Sequence, residues 1–174
     1  MTGDQQSQSH HRKSIRLPEY DYTHPGAYFV TIVADRRRQL FGQVRGGVMR
    51  LSAFGQVVED CWREIPAHFP GVGNAIFMVM PNHFHGIVEM NEIGGAAGAR
   101  HASPVRSNPL GVIVGSFKSA VSRKIHRLPG GEGIKVWQRN YFEHIIRDEG
   151  EYERIAGYIR ANPENWKTDW ENRG

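Results

Sequence analysis

Two histidines one residue apart, His83 and His85, are the side chains of this sequence best suited to chemistry. They follow Pro81-Asn82, a turn-favouring pair, between two apolar runs of strand-forming character, Ile76–Val79 and Phe84–Val88. On a strand, residues two apart share a face, so the imidazoles stand side by side while Phe84 packs on the other side. Neutral imidazoles in fixed directions can clasp a divalent metal. The same spacing also suits two polar residues on a solvated strand face. Read as an open site rather than a core, either histidine should be replaceable by alanine without loss of the fold.

A second pair, Tyr158 and Asn162, lies four apart near the end of a predicted helix, hence one above the other. Pro163 stops that helix at Asn162. A phenol and an amide oxygen then project together from the edge of its apolar stripe. The alternative is an amphipathic aromatic beside a helix-end asparagine.

The elements that must carry these groups follow from patterning. Tyr28–Val33 is aromatic and β-branched and reads as a buried strand. Ser52 caps a helix to about Ile65 whose stripe of Phe54, Val57, Val58, Cys61, Trp62 and Ile65 faces a core. Asn108-Pro109 opens a second helix, ended by Pro129-Gly130-Gly131, with Leu110, Ile113, Val114, Phe117, Val121, Ile125 and Leu128 on one side. Val136–Ile146 reads as a strand pair or a kinked strand, and Asp148 with Glu151 makes a capping box for the helix running to about Ala161. The order strand, helix, two strands, helix, strand, helix predicts an α+β fold, a ferredoxin-like βαββαβ sandwich. Its antiparallel sheet would hold the two-histidine strand centrally, with the last helix lying across the face. That brings Tyr158 and Asn162 within reach of His83 and His85.

The 174 residues suit one domain, expected over 12–174 behind a disordered tail at 1–11. Hydrophobic content of 39% and charged content of 23% are those of a soluble globular protein. No apolar run is long enough to span a membrane, and the polar start does not resemble a signal peptide, so a cytoplasmic address is expected. The single cysteine, Cys61, excludes an internal disulfide and a cysteine-based zinc site. With 22 Lys and Arg against 18 Asp and Glu, the net charge of +4 permits a polyanionic partner without demanding one. Three basic clusters could grip phosphates or simply be solvated: Arg12, Lys13 and Arg16; Arg36, Arg37 and Arg38; and the helix face with Lys118, Arg123 and Lys124. The Gly/Ala/Ser-rich stretch Asn91–Ser107 reads as a long loop.

Met80-Pro-Asn-His-Phe-His85 resembles the His-hydrophobic-His signature of single-tyrosine transposases, in the form of the REP-associated tyrosine transposases. Arg16-Leu-Pro18, Tyr28-Phe-Val-Thr31, Gly115-Ser-Phe-Lys-Ser119, Val136-Trp-Gln-Arg-Asn-Tyr141, His144-Ile-Ile-Arg147 and Tyr158-Ile-Arg-Ala-Asn-Pro163 resemble the same family, in order, from about Arg12 to Trp166. The resemblance implies a ferredoxin-like sheet and metal-dependent cutting and joining of single-stranded DNA beside hairpins, through a 5′-phosphotyrosine intermediate. It implies that Tyr158 is the nucleophile and that His83, His85 and Asn162 hold the metal, Mg²⁺ or Mn²⁺. Tyr141 is the competing phenol. The partner implied is single-stranded or hairpin DNA, with the protein a monomer or homodimer. The rival functions are a nucleic-acid-binding module of the same fold that no longer cuts, and a metal-dependent hydrolase that uses water.

Overall fold

The computed structural model describes residues 25–91 and 109–168. The tail 1–11, the cations Arg12, Lys13 and Arg16 and nearly all of the Asn91–Ser107 stretch lie outside the described residues.

The central sheet is antiparallel throughout. β1 (Gly26–Val33) pairs with β6 (His83–Met90) on one side and β7 (Phe142–Ile146) on the other. The far edge of β6 is taken by β5 (Phe77–Val79) and then by β4 (Val72–Gly73). Read across, the order β5-β6-β1-β7 is that of the ferredoxin-like βαββαβ arrangement, with the two-histidine strand inside the sheet. Among the strands, two features were not legible from patterning. One is the hairpin of β2 (Gly42–Arg45) and β3 (Val48–Leu51), whose sequence is too polar and glycine-punctuated to alternate cleanly. The other is β4, two residues long.

α1 (Ala53–Arg63) and α3 (Pro109–Ile125) cover one face of the sheet. Ser52 caps α1, its hydroxyl accepting from Gly55 N–H at 3.1 Å and donating to Leu40 O at 2.8 Å. The helix stops at Glu64, and Pro66 sits in the first turn of the four-residue α2 (Ile65–His68). Tyr28, Val30, Ile32, Phe84 and Val88 point into this layer against Val58, Trp62, Val114 and Phe117. Trp62 is its pivot, 4.5 Å from the Phe84 ring and 5.2 Å from Phe117, centroid to centroid. Gly86 makes the approach feasible: a Cβ there would meet the indole at 2.6 Å.

α4 (Glu149–Ala161) lies on the opposite face, where Ala156 and Ile159 pack on Ile87 and Ile146. Asp148 caps it by accepting from Glu151 N–H at 2.8 Å. The Glu151 carboxylate does not return to the cap residue as a capping box would; it accepts from Arg147 N–H at 2.8 Å and pairs with His144 at 2.8 Å. Between α3 and α4, the stretch 136–146 contributes one strand rather than two, preceded by an isolated bridge of Trp137 to Ala34. No helix among the described residues is long and apolar enough to cross a membrane.

Candidate functional site

Strand register sets the site. Thr31 of β1 stands opposite His85 of β6 and, on its other side, opposite Phe142 of β7. One row across the sheet is therefore Phe142, Thr31, His85 and Met78, all facing the α4 layer. Phe29 and Thr31 share that face because Tyr28, Val30 and Ile32 are taken by the core opposite.

His83 and His85 lie side by side, ring centroids 4.5 Å apart. Each is oriented through Nδ1. His83 Nδ1 is 2.8 Å from the Asn82 side-chain oxygen, which can only accept, so the ring proton sits on Nδ1 and Nε2 carries the lone pair. His85 Nδ1 is 2.8 Å from Thr31 Oγ1; with Nδ1–H donating there, the Nε2 lone pair faces α4. The Tyr158 hydroxyl lies 3.4 Å from that Nε2. Phe29 stacks on His85 at 5.4 Å and meets Tyr158 edge-on at 6.3 Å.

The expected open strand face is corrected by the structure: His83 and His85 are 0% and 1% exposed, with the sheet beneath, α4 above and Trp166 6.0 Å from the His83 ring. Burial sets their chemistry. His83 is pushed down to about 3 by desolvation and then by the charge of Arg37, with Asn162 pulling it partly back. His85 falls well below the ordinary histidine range through burial and then its histidine neighbour. Both rings are therefore neutral near pH 7, the state in which imidazole donates to a metal. Tyr158, by contrast, is 43% exposed, so the phenol reaches the buried pair from an open mouth.

Among the described residues, no three His, Cys, Asp or Glu side chains gather as a metal-binding group. For a metal held by the two histidines, a third protein donor among the described residues would be an oxygen from an amide, a hydroxyl or the backbone. Asn162 is 1% exposed and close enough to His83 to act on its ionisation, and its Oδ1 is buried without a hydrogen bond of ordinary geometry among the described residues. Two neutral nitrogens and one buried amide oxygen are a donor set that fits a divalent ion of borderline character.

The basic clusters are distributed differently from their sequence appearance. Lys118 turns its ammonium inward, donating to the carbonyls of Gln138 at 2.7 Å and Arg139 at 3.0 Å, and burial lowers it to about 8. Lys124 is paired with Glu64 at 2.9 Å. Arg123 instead lines an open groove with Lys135 and Arg139, two cations that patterning had not singled out. Lys135 and Arg38 meet the carboxylate of Asp35 at 2.8 and 3.9 Å, joining the groove to the 36–38 cluster. Arg36 and Arg37 both have φ of +54°, a left-handed conformation that costs a non-glycine residue about 1–2 kcal/mol. Strain held beside a polar site is a functional signal when the surroundings enforce it. Here the Ala34 N–H bond to Asn82 O and the Phe41 N–H bond to Pro81 O tie this turn to the histidine loop.

Tyr141, the competing phenol, precedes β7 and packs towards the α1/α3 core, on the other side of the sheet from His85. Thr31, Asn82, Phe29 and Trp166 were not identified from sequence. Thr31 alone left a signal, a polar residue in an otherwise apolar strand, two positions from Phe29.

No family model matches the chain. An uncharacterized protein of Haemophilus influenzae is 40% identical over 168 residues, covering 92% of each chain. A second H. influenzae protein, provisionally named a REP-associated tyrosine transposase, is 25% identical over 145 residues, covering 82% of this chain and 73% of its own. The solved structure of a REP-associated tyrosine transposase bound to a REP hairpin superimposes with a TM-score of 0.57 at 20% identity, covering 91% of this chain and 75% of that one, a likeness of fold. In sequence this chain is similar to a relative named as a REP-associated tyrosine transposase, and it shares the fold of a solved one.

Proposed function

We propose that this protein cuts and rejoins single-stranded DNA next to a hairpin, with Tyr158 as nucleophile and His83, His85 and Asn162 as the holders of a divalent metal, Mn²⁺ or Mg²⁺. The observation that carries this reading is the hydroxyl of a half-exposed Tyr158 standing 3.4 Å from Nε2 of a buried, neutral His85. A structural tyrosine has no need to present its hydroxyl to an otherwise sequestered imidazole pair. The hairpin enters by extension from the relative whose structure holds one.

In the reaction, the Tyr158 oxygen attacks the scissile phosphorus and the P–O3′ bond breaks. The products are a 5′-phosphotyrosyl protein and a free 3′-hydroxyl. The phenol gives up its proton and the departing oxygen gains one. Because the phosphodiester energy is retained, a second 3′-hydroxyl can reverse the step and become joined. A divalent ion in the site would polarise the phosphate and offset charge developing on it. Thr31 and Asn82 hold the imidazoles in one orientation, so their lone pairs need no rearrangement on binding. Ala156 and Ile159 pack α4 on the sheet and fix Tyr158 in place. Arg37, whose charge bears on His83, supplies a cation at the site; Arg123, Lys135 and Arg139 line the groove on the α3 side, a second proposed phosphate path, whereas Lys118 serves the backbone. The N-terminal cluster of Arg12, Lys13 and Arg16 remains a proposed phosphate contact.

The test is covalent capture. A labelled single strand carrying a hairpin is incubated with the protein, with and without Mn²⁺, and run on a denaturing gel. A metal-dependent protein–DNA adduct is expected. Cleavage without an adduct would replace this reading with a water-using hydrolase, and binding without cleavage would replace it with a binding module.

A further inference from the structure

Among the described residues, the large apolar side chains most exposed to solvent are Val48, Val112, Phe142 and Tyr158. The two rings among them occupy the same face. Phe142 is 39% exposed on β7, an edge strand among the described residues, in the row that runs through Thr31 to His85. Two strand spacings put its backbone roughly 10 Å from that of His85. Its ring meets Phe29 edge-on at 6.2 Å, and Phe29 in turn contacts both His85 and Tyr158. An edge strand is normally guarded by charge, because exposed apolar groups there invite association. A phenylalanine left open at that position, one ring removed from the histidines and the phenol, calls for an occupant.

We propose that Phe142 is the platform on which one unpaired base of the DNA strand stacks, so that the strand is held in register with Tyr158. The inference rests on the reading of this site as one that takes single-stranded DNA. The occupant follows from the chemistry: a flat π face in the row that leads to His85 and the phenol suits a nucleobase, since base–aromatic stacking tolerates any base. Phe29 serves as the rigid backing that keeps Phe142 from folding onto the sheet. Phe142 would thereby help to choose which phosphate reaches the phenol, making it a positioning residue rather than a catalytic one.

The experiment is a coupling measurement. Equilibrium affinity for a labelled hairpin with a single-stranded flank is measured for the unaltered protein, Phe142→Leu and Phe142→Trp. A set of oligonucleotides, each with one abasic position in the flank, is measured in parallel. Phe142→Leu should weaken binding by about tenfold and Phe142→Trp should restore it. One abasic position should weaken binding to the unaltered protein by a similar factor and add almost nothing with Phe142→Leu. In Phe142→Leu, the site of adduct formation should also spread to neighbouring phosphates. Equal losses at every abasic position, or none, would overturn the stacking platform, as would a Phe142→Leu variant of normal affinity. If an adduct forms normally while no position couples to Phe142, this inference falls and the proposed activity stands. If no single strand binds at all, both fall.

Discussion

The Tyr158 hydroxyl and Nε2 of His85 stand 3.4 Å apart, joining the last helix to the middle of the sheet. The far side of the His85 ring is fixed by Thr31 at 2.8 Å. A residue that orients a ligand imidazole matters nearly as much as the imidazole, and its loss typically costs 10–100-fold in metal affinity or activity. Thr31→Val keeps the shape and removes the oxygen. It should lower Mn²⁺ affinity and cleavage by about that factor, and it should also cost about 1–3 kcal/mol of stability, because the buried His85 N–H loses its acceptor. Metal titration followed by calorimetry checks it.

The buried pair predicts a stability cost that an open site would not have. His83→Ala empties a fully buried position near Trp166 and removes the ring N–H that the Asn82 side-chain oxygen accepts. Truncation of buried side chains of this size costs about 2–4 kcal/mol, and each kcal/mol lowers the midpoint by about 2–4 °C in a chain of this length. A thermal melt unchanged from the unaltered protein would mean that the histidine layer is more open than its geometry.

Asn162 can be tested without any DNA. An ion bound only by the folded state at 100 times its dissociation constant adds about 2.7 kcal/mol of stability. Mn²⁺ should raise the melting temperature of the unaltered protein, and Asn162→Ala should abolish most of that rise. An equal rise in both would remove Asn162 from the ligand set.

The sequence located the two-histidine strand, the helix bearing Tyr158 and the βαββαβ order, because each rests on local periodicity and capping that tertiary packing reinforces. Burial of His83 and His85 could not be read, since it depends on Trp166 and α4 arriving from distant parts of the chain. The same holds for Lys118: on a helical wheel it looks solvated, and only the return of residues 138–139 gives its ammonium carbonyls to bind. The left-handed Arg36-Arg37 pair was invisible because arginine gives no hint of positive φ.

That pair supplies a prediction in which stability and binding move in opposite directions. Arg37→Gly relieves a left-handed strain and should stabilise the fold by up to about 1 kcal/mol. It should also weaken single-strand binding and reduce the salt slope by about 0.7 for one lost phosphate contact. Loss of stability would assign Arg37 to the fold instead.

The start of α4 should respond to acid. Glu151 is held below the ordinary carboxylate range, first by Arg147 N–H and then by His144. A depressed carboxyl contributes stability above its unfolded value, near 4.5, and that contribution is lost as the pH falls through the folded one. The protection factor of the Arg147 amide, its exchange relative to the unfolded chain at the same pH, should therefore fall below about pH 4.5, and Glu151→Gln should show the lower protection already at pH 7. A protection factor that does not change with pH would contradict this.

If Tyr158 forms the covalent bond to DNA, one denaturing gel reveals it. Tyr158→Phe removes a single oxygen and leaves the ring against Phe29. Tyr141→Phe does the same on the opposite side of the sheet. With a labelled hairpin substrate and Mn²⁺, the adduct should vanish in Tyr158→Phe, whose metal-induced melting shift stays intact, and persist in Tyr141→Phe. An adduct that survives in Tyr158→Phe and is lost in Tyr141→Phe would contradict the assignment of the nucleophile.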